Sequence, residues 1–345
     1  MRPVKAVVYG AGTMGLLATR MLHEKGVDVV GAVARSPHKV GADLGTLAGM
    51  SPLGVLVDDD AERVLRTTRP DIVLLATASF LPEIHEQLAM CVTLGANVVT
   101  ISEESLYPWT TSPDLASTID ALAIAHGVTV TGGGHQDSLW VHMVSALMGA
   151  AHHIDTIHGV TSWNADEFGA EVVASKHVGE SLEEFERSVA SADAPPSYGR
   201  NFLGVLAKAS SLTPSRWESS VRPVTADVDR PSQTLGRTLK AGTVLGYADV
   251  DTMHTVEGPT FVFEMAGYVY GPGETDKNVW EIKGEPDLSF DNGVVQSYTT
   301  TCTQWVNRVP DVINARPGFV TIDEMPPLAY RAHPLHTYVR DGLLL

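Results

Sequence analysis

A glycine-rich turn directly after the first apolar run is the feature that most restricts how this chain can fold. The run 4–9 leads into GAGTMG, a G-x-G-x-x-G pattern at the junction of a predicted strand and a predicted helix. The first glycine permits the tight turn, the second admits a phosphate close to the backbone, and the third allows close helix–strand packing. The pattern predicts a dinucleotide whose pyrophosphate binds at the positive end of the helix. The predicted cofactor-binding residues of this loop are Gly10, Gly12, Thr13, Met14 and Gly15.

A basic residue follows the second apolar run, where the adenosine ribose of a dinucleotide is expected. The run 27–33 predicts the second strand, and Arg35 stands at its tip, with Ser36 and Lys39 close behind. An acidic residue at this position favours a free ribose 2′-hydroxyl, whereas an arginine favours a 2′-phosphate through charge-assisted hydrogen bonds. We therefore predict a site that prefers NADP, with NAD as a possible cofactor.

Length, charge and cysteine content limit the class of protein. A chain of 345 residues is long enough for two domains. The net charge of −17 argues against a nucleic-acid backbone or an anionic membrane as a partner. Cys91 and Cys302 are too few for a disulfide framework, and no apolar stretch is long enough to span a membrane. We expect a soluble, cytoplasmic protein.

Strands and helices alternate through the first part of the chain. Proline, glycine and acidic residues mark where the predicted helices begin and end. No hairpin signals interrupt this order, and such alternation is typical of a doubly wound parallel sheet, the Rossmann fold. Beyond the first two strands, the predicted strands are 54–57, 72–76, 97–101 and 128–131.

The pattern changes after residue 138. An apolar helix is predicted over 139–151, and alternating runs such as 156–162 and 260–270 are typical of strands in an open sheet. Proline- and glycine-rich pieces, notably 194–196 and 271–273, separate these runs. The texture predicts a second, α+β domain with an open mixed sheet.

Three regions follow from these patterns. We predict a dinucleotide-binding Rossmann domain over 1–138 and an α+β substrate and oligomerisation domain over 139–300. The final segment, 301–345, is expected to return to the first domain. Twofold assemblies are the commonest oligomers, so a homodimer through the second domain is the expected state.

Candidate chemical groups follow two neighbouring strands of the predicted sheet. Open parallel sheets bind ligands beyond the carboxyl ends of their strands. Thr77, Ala78 and Ser79 come after one strand and are expected to flank the ribose or nicotinamide. Glu103 and Glu104 follow the next strand and could transfer a proton or hold a cationic substrate. The alternative is that both are solvated acids at the start of a helix.

A glycine-rich segment follows the last strand of the first domain. Three consecutive glycines at 132–134 allow close approach of a ligand and are typical of an interdomain hinge. His135 comes next, and Trp140 is either a wall of a substrate pocket or a buried core residue. The His152-His153 pair has no third ligand at suitable spacing, so no metal site is predicted.

Taken together, these motifs resemble the native amine dehydrogenases, relatives of 2,4-diaminopentanoate dehydrogenase within the dihydrodipicolinate-reductase-like superfamily. The resemblance rests on the fingerprint, the ARSPHKVG loop at 34–41, the Glu103-Glu104 pair and the glycine hinge, and it extends to ARPGF at 315–319. It implies reductive amination, in which a ketone or aldehyde and ammonia form an iminium that accepts hydride from NADPH. The reverse reaction oxidises a primary amine.

The resemblance also implies roles for individual residues. One pocket glutamate in the family handles ammonia and the amine proton, and by position this role falls to Glu103, with Glu104 in reserve. A carboxylate suits the step because it can hold ammonium and stabilise the iminium charge. The implied substrate pocket consists of His135, Trp140, Asn164, Phe168 and His254.

Two departures from relatives narrow the choice of substrate. His152-His153 is not followed by the lysine that dihydrodipicolinate reductases carry, so their reaction is not expected. No basic cluster near the glycine hinge could hold a substrate carboxylate, which favours a small, largely apolar carbonyl compound. The alternatives are a 2,4-diaminopentanoate-type diamino acid dehydrogenase and a non-catalytic NADP-binding sensor.

Overall fold

The chain forms two compact units. The computed structural model describes residues 2–191 and 197–344. Unit 1 combines the residues up to His142 with those from Tyr298 onward, and unit 2 spans Met143–Ser297. The boundaries predicted from the sequence lie after residues 138 and 300. The predicted proline-rich break at 194–196 lies outside the described residues.

Both units contain strands and helices. The strands are β1 Lys5–Tyr9, β2 Asp28–Val33, β3 Val57–Asp58, β4 Ile72–Leu75, β5 Asn97–Thr100, β6 Thr129–Gly132, β7 His153–Asn164, β8 Pro214–Thr225, β9 Arg230–Ser232, β10 Arg237–Leu239, β11 Val244–Thr255, β12 Thr260–Tyr268, β13 Lys277–Glu285, β14 Leu288–Asp291 and β15 Gly318–Phe319. The α-helices are α1 Thr13–Glu24, α2 Leu44–Leu47, α3 Ala61–Thr68, α4 Leu81–Thr93, α5 Pro113–His126, α6 Met143–Met148, α7 Ala170–Ser175, α8 Leu182–Ser191, α9 Gly199–Ala209, α10 Ser297–Asn307 and α11 Val309–Asn314. Among the described residues, no helix is long and apolar enough to cross a membrane.

The sheet of unit 1 is parallel throughout, which confirms the predicted doubly wound fold. Its strand order is β15-β6-β5-β4-β1-β2-β3. All four residues of β4 are buried, as expected for an inner strand covered by helices on both faces. The chain runs outward from β1 in one direction and from β4 in the other. The carboxyl ends of β1 and β4 therefore form the switch point at which such sheets bind ligands.

Local signals set the helix ends of unit 1. Asp60 is the N-cap of α3 and accepts a hydrogen bond from the Arg63 backbone N–H at 2.9 Å. Helix α5 ends at Gly127, as the sequence predicts, and this residue has a left-handed φ of 69°.

The C-terminal segment belongs to unit 1. Strand β15 pairs in parallel with β6 and extends the sheet at that edge. The side chain of Phe319 is buried in the core of unit 1, with its ring edge-on to Trp109 at 6.4 Å between centroids. Unit 1 is therefore built from two stretches of chain that are separated by the whole of unit 2.

The apolar helix predicted over 139–151 is present from 139 to 148, but its first part is a π-helical turn and it ends at Met148. A π-helical turn, Asp137–His142, comes first, and the short helix α6 follows it. The turn begins at Asp137, whose carboxylate binds the buried side chain of Arg308. Its first residues are therefore anchored inside unit 1. Single π-helical turns of this kind are frequent at functional sites.

Unit 2 contains an open mixed sheet, as the sequence predicts. Its strand order is β14-β13-β7-β12-β11-β8, with β7 parallel to β12 and the other pairs antiparallel. Alternate residues of β12 are buried on one face, where Phe263 stacks on Trp280 at 5.4 Å between ring centroids. Phe202 of α9 contacts the same ring of Phe263 edge-on at 5.7 Å. The core of unit 2 thus lies between α9 and one face of the sheet.

We expect Gly159→Ala to destabilise unit 2. A Cβ at Gly159 would lie 2.5 Å from the buried ring of Trp280, so the ring or strand β7 must shift. Overpacking of this kind costs about 1–3 kcal/mol, which urea denaturation can measure. The control is Gly149→Ala, where a Cβ would make an ordinary 3.5 Å contact with the Ala146 carbonyl oxygen. Equal unfolding free energies for the two variants would contradict this account.

Candidate active site

The glycine loop leaves open space at the amino end of helix α1. A Cβ at Gly10 or Gly15 would collide with backbone, of Ala76 and of Gly10 respectively. A Cβ at Gly12, in contrast, would meet no atom within 4 Å. Gly12 is the N-cap of α1 and offers no side-chain cap to the first N–H groups of the helix. These residues fit a dinucleotide pyrophosphate, which would bind the free N–H groups at the helix dipole.

Helix α10 contacts the same loop from within unit 1. The Tyr298 hydroxyl donates to the Thr13 carbonyl oxygen at 3.1 Å, and the Cys302 thiol donates to that of Met14 at 3.4 Å. Burial raises the pKa of Cys302 to about 12, so this thiol stays protonated at neutral pH. Two carbonyl groups of the loop are thereby held by α10.

The loop after β2 carries a cation that is available to a ligand. Lys39 donates from Nζ to the Ala11 carbonyl oxygen at 2.7 Å, which ties this loop to the glycine turn. In the same loop, the Ser36 carbonyl oxygen accepts hydrogen bonds from the backbone N–H groups of Lys39 and Val40. Arg35 is exposed, and among the described residues its guanidinium forms no ion pair or hydrogen bond. It borders a surface cavity of about 540 Å³ beside the first turns of α4.

The turn after β4 is joined to the turn after β5. The Ser79 carbonyl oxygen accepts from the Ser102 hydroxyl at 2.7 Å and from the Glu104 backbone N–H at 3.2 Å. Thr77 donates from its hydroxyl to Gln87 of α4, and Ala78 contacts the core of unit 1. The two predicted ligand-binding turns therefore form one connected edge.

Glu104 serves as a buried connector between helices. Its residue is 2% exposed, and its carboxylate accepts hydrogen bonds from the Leu81 backbone N–H and the hydroxyls of Thr111 and Ser112 at 2.5–2.6 Å. Ser112 directly precedes α5, a position at which a serine commonly caps the helix, but its hydroxyl donates to Glu104 instead. The carboxylate thus links the amino ends of α4 and α5.

Glu103 has a different environment. The residue remains partly exposed, and its carboxyl group is hydrogen-bonded to Ser79. Burial of the carboxyl raises the pKa of Glu103, and the bond to Ser79 opposes this only in part. A carboxyl group with a raised pKa can exchange a proton closer to neutral pH than an ordinary glutamate.

The segment after β6 lies directly against the Glu103 turn. The Gly133 N–H donates to the Thr100 carbonyl oxygen at 2.8 Å. A Cβ at Gly132 would lie 2.5 Å from backbone atoms of Ser105 and Leu106. Glycine is therefore needed for this close approach, which brings the start of the His135 segment beside the turn that carries Glu103.

His135 and Trp140 are brought together after this glycine segment. The two rings are edge-on, with centroids 5.5 Å apart, and the residues are 5% and 7% exposed. His135 Nδ1 lies 2.7 Å from the Thr300 hydroxyl oxygen. Burial lowers the pKa of His135 to about 4, so the imidazole is neutral near pH 7.

A buried ion pair anchors the same segment, and sequence reasoning missed it. Arg308 donates from Nε and Nη2 to the two carboxylate oxygens of Asp137 at 2.8 and 2.6 Å, and both side chains are fully buried. An arginine inside the apolar stretch Trp305–Val309 was the available signal. Arg308 lies beside the glycine hinge, where no basic anchor was expected. Because the guanidinium of Arg308 is buried and already binds Asp137, Arg308 is not available to a substrate carboxylate.

Two predicted pocket residues lie together in unit 2, at the end of β7. The Asn164 side-chain oxygen accepts backbone hydrogen bonds from Asp166 and Tyr270, both at 3.2 Å. Phe168 follows at 37% exposure, with its ring edge-on to Trp163 at 5.1 Å. Asn164 therefore shapes the turn, and Phe168 presents an apolar surface.

His254 is not near Asn164 within unit 2. It pairs with Thr260 on β12, whereas Asn164 is level with Tyr268 at the other end of that strand, about 26 Å away. The His254 ring lies 3.0 Å from Arg216 and 3.3 Å from Glu218. The described residues include no group of three His, Cys, Asp or Glu side chains that could hold a metal ion.

A second surface cavity of unit 1 lies away from this site. It has a volume of about 840 Å³ and is bordered by Asp71, Asn97 and Thr129 at the amino ends of β4, β5 and β6. Since parallel sheets of this kind bind ligands at the carboxyl ends of their strands, the cavity is not part of the candidate active site.

Family models match both parts of the chain. The model of the 2,4-diaminopentanoate dehydrogenase C-terminal domain matches residues 139–336. The model of the dihydrodipicolinate reductase N-terminus matches residues 4–101. Residues 102–138, which include Glu103 and His135, lie between the two matches.

Individual relatives agree with the family models. The chain is 30% identical over 345 residues to 2,4-diaminopentanoate dehydrogenase from Acetoanaerobium sticklandii, covering 94% of each chain. It is 36% identical over 89 residues to 4-hydroxy-tetrahydrodipicolinate reductase from Moorella thermoacetica, covering 25% of this chain and 33% of the relative.

A solved structure extends the similarity to the whole fold. An amine dehydrogenase from Mycobacterium smegmatis is 51% identical, with a TM-score of 0.91 over 96% of this chain and 98% of its own. These similarities confirm the resemblance drawn from the motifs. The chain belongs to the 2,4-diaminopentanoate dehydrogenase family and is an NAD(P)-dependent oxidoreductase that acts on amines.

Proposed function

We propose that this amine dehydrogenase interconverts small, largely apolar aldehydes or ketones and their primary amines, with ammonia as the nitrogen source and NADPH as the preferred reductant. We assign the proton transfer to Glu103. The observation that carries this assignment is the contrast within the acidic pair. Glu104 uses its carboxylate in three hydrogen bonds that hold the fold, whereas the carboxyl group of Glu103, in the turn at the carboxyl end of β5, is not used in this way and has a raised pKa.

Glu103 has a role in each step of the amination. Its carboxylate attracts ammonium and accepts the proton that leaves as ammonia adds to the carbonyl carbon. It returns a proton to the departing hydroxyl group, so that water leaves and the iminium forms. Its negative charge then stabilises the iminium. The bound cofactor supplies the hydride that reduces this carbon, and in reverse Glu103 removes a proton from the alkylammonium.

The environment of the glycine hinge supports a substrate without a carboxylate. Arg308 is a basic residue that contacts the segment after the hinge, and Asp137 neutralises it in a buried pair. A diamino acid substrate would need an accessible cation. The identity of 51% with an amine dehydrogenase, against 30% with a 2,4-diaminopentanoate dehydrogenase, favours the same conclusion. A non-catalytic sensor would have no use for the carboxyl group of Glu103.

Arg35 supports the preference for NADP. Its guanidinium has no partner among the described residues, while Lys39 is held by the Ala11 carbonyl. Glu83 and Glu86 of α4 border the same cavity. The contact with a 2′-phosphate therefore depends on Arg35 rather than on a broad basic surface.

The outward face of the unit 2 sheet supports a homodimer. Val160, Val250, Val262 and Val279 stand on the central strands, opposite to the buried core residues, and all four are partly exposed. A twofold contact between two such faces would bury these side chains.

Glu103→Gln is expected to abolish ammonia-dependent turnover. The amide cannot accept the proton from ammonia or stabilise the iminium charge, so kcat should fall about a hundredfold or more. The assay follows NADPH oxidation with small aldehydes and ketones in concentrated ammonia. Cofactor binding, measured by NADPH fluorescence, should remain at the wild-type level.

The matched variant for this test is Glu104→Gln. Removal of one carboxylate oxygen weakens the bonds to α4 and α5, so this variant should lose thermal stability rather than the chemical step. Full turnover in Glu103→Gln would overturn the assignment. Absence of ammonia-dependent turnover in the wild type across a broad carbonyl panel would overturn the proposed function itself.

Arg35→Ala should weaken NADP binding much more than NAD binding. Loss of a charge-assisted phosphate contact costs about 1.5–3 kcal/mol, or roughly ten- to a hundredfold in Kd. Titration of both cofactors against this variant and against Arg20→Ala, which changes an exposed ion pair on α1, measures the difference. Equal weakening of NADP and NAD by Arg35→Ala would refute the predicted role.

Val160→Lys should convert the homodimer to a monomer. A charged side chain in the centre of the proposed interface would lose its hydration on association. Sedimentation velocity measures the state, and Val228→Lys, at a loop residue that is 63% exposed, is the control that should remain dimeric. A wild-type chain that sediments as a monomer would contradict the proposed interface.

A further inference from the structure

One side of helix α10 contacts the segment that carries His135 at two points. Thr300 and Gln304 are four residues apart, so they lie on the same side of the helix. The Thr300 hydroxyl oxygen lies 2.7 Å from His135 Nδ1. The Gln304 side-chain oxygen accepts from the Ser138 backbone N–H at 2.9 Å.

A third contact lies four residues further along. Arg308, just beyond the end of α10, binds Asp137 in the buried ion pair and also donates to the Pro326 carbonyl oxygen at 2.7 Å. Helix α10 and Arg308 thus hold the side chain of His135, the carboxylate of Asp137 and the backbone of Ser138. The contacts at Asp137 and Ser138 hold this segment of the chain in place, and the Thr300 hydroxyl sets the orientation of the His135 ring.

Of the two ring nitrogens of His135, one has a hydrogen-bond partner among the described residues and the other has none. Nδ1 pairs with Thr300, whereas the described residues offer Nε2 no hydrogen-bond partner. In a neutral imidazole, the bond made by one nitrogen determines whether the other is a donor or an acceptor. The glycine segment that leads to His135 lies against the Glu103 turn, so Nε2 belongs to the surroundings of the proposed reaction.

We propose that Thr300 is a positioning residue for the amination: its hydroxyl fixes the tautomer and the orientation of His135, so that Nε2 hydrogen-bonds the oxygen or nitrogen of the substrate. This inference rests on the proposed function, in which His135 belongs to the substrate pocket. In this proposal Thr300 acts through the ring of His135.

The test compares Thr300→Val with Thr303→Val on the same helix. Valine has nearly the shape of threonine but lacks the hydroxyl. The Thr303 hydroxyl is exposed and donates to the Thr299 carbonyl oxygen, so it provides a matched control. Nitrogen-15 NMR of protein labelled at histidine reports the tautomer, and His135→Phe identifies the His135 signals by their loss.

We expect Thr300→Val to shift the Nδ1 and Nε2 signals of His135 and to lower kcat/KM for the carbonyl substrate about tenfold. Cofactor affinity should not change. Thr303→Val should match the wild type in all three measurements. The proposal is overturned if the His135 signals of Thr300→Val are those of the wild type.

A double-mutant cycle tests whether Thr300 acts through His135. His135→Phe keeps an aromatic ring against Trp140 but has no ring nitrogen. In this background Thr300→Val should cause no further loss of kcat/KM. An equal further loss would mean that Thr300 acts independently of the imidazole, which overturns the proposal. If the wild-type chain fails to aminate any carbonyl compound, the proposed function fails, while the NMR signals still decide whether Thr300 orients His135.

Discussion

The buried pair of Asp137 and Arg308 is the interaction on which the candidate site depends. It joins the segment after β6 to the end of α10, and both partners lie out of contact with water. Loss of one partner of such a pair leaves an uncompensated charge, at a cost of about 3–5 kcal/mol. The pair therefore links the two stretches of chain that form unit 1, so that the folding of each depends on the other. It also holds the start of the turn that carries Trp140.

The two adjacent glutamates show how environment separates identical side chains. They occupy consecutive positions at the start of one short turn, so their carboxylates point in different directions. Glu104 accepts from three donors, one at the start of α4 and two just before α5, and becomes part of the scaffold. Glu103 receives fewer bonds, and burial of its carboxyl group raises its pKa. In the proposed function, Glu104 thus keeps the turn rigid while Glu103 transfers the proton.

Local patterns were sufficient for the parallel sheet, the glycine loop and helix ends such as Gly127, since neighbouring residues decide each of these. The same patterns could not reveal contacts between distant parts of the chain. Asp137 and Arg308 are far apart in sequence, and Ser112 has the signature of a helix cap but donates to Glu104. Nor did the local pattern of the helix predicted over 139–151 indicate the π-helical turn with which it begins.

The pairing of β15 with β6 has a consequence for biosynthesis. A ribosome makes all of unit 2 before it makes β15, so the nascent unit 1 waits with one edge of its sheet uncovered. Unit 2 consists of one continuous stretch and has its own core, so it can fold during this interval. Completion of the sheet of unit 1 therefore requires that β15 has been made, and a chain that stops before β15 would expose an open strand edge to aggregation.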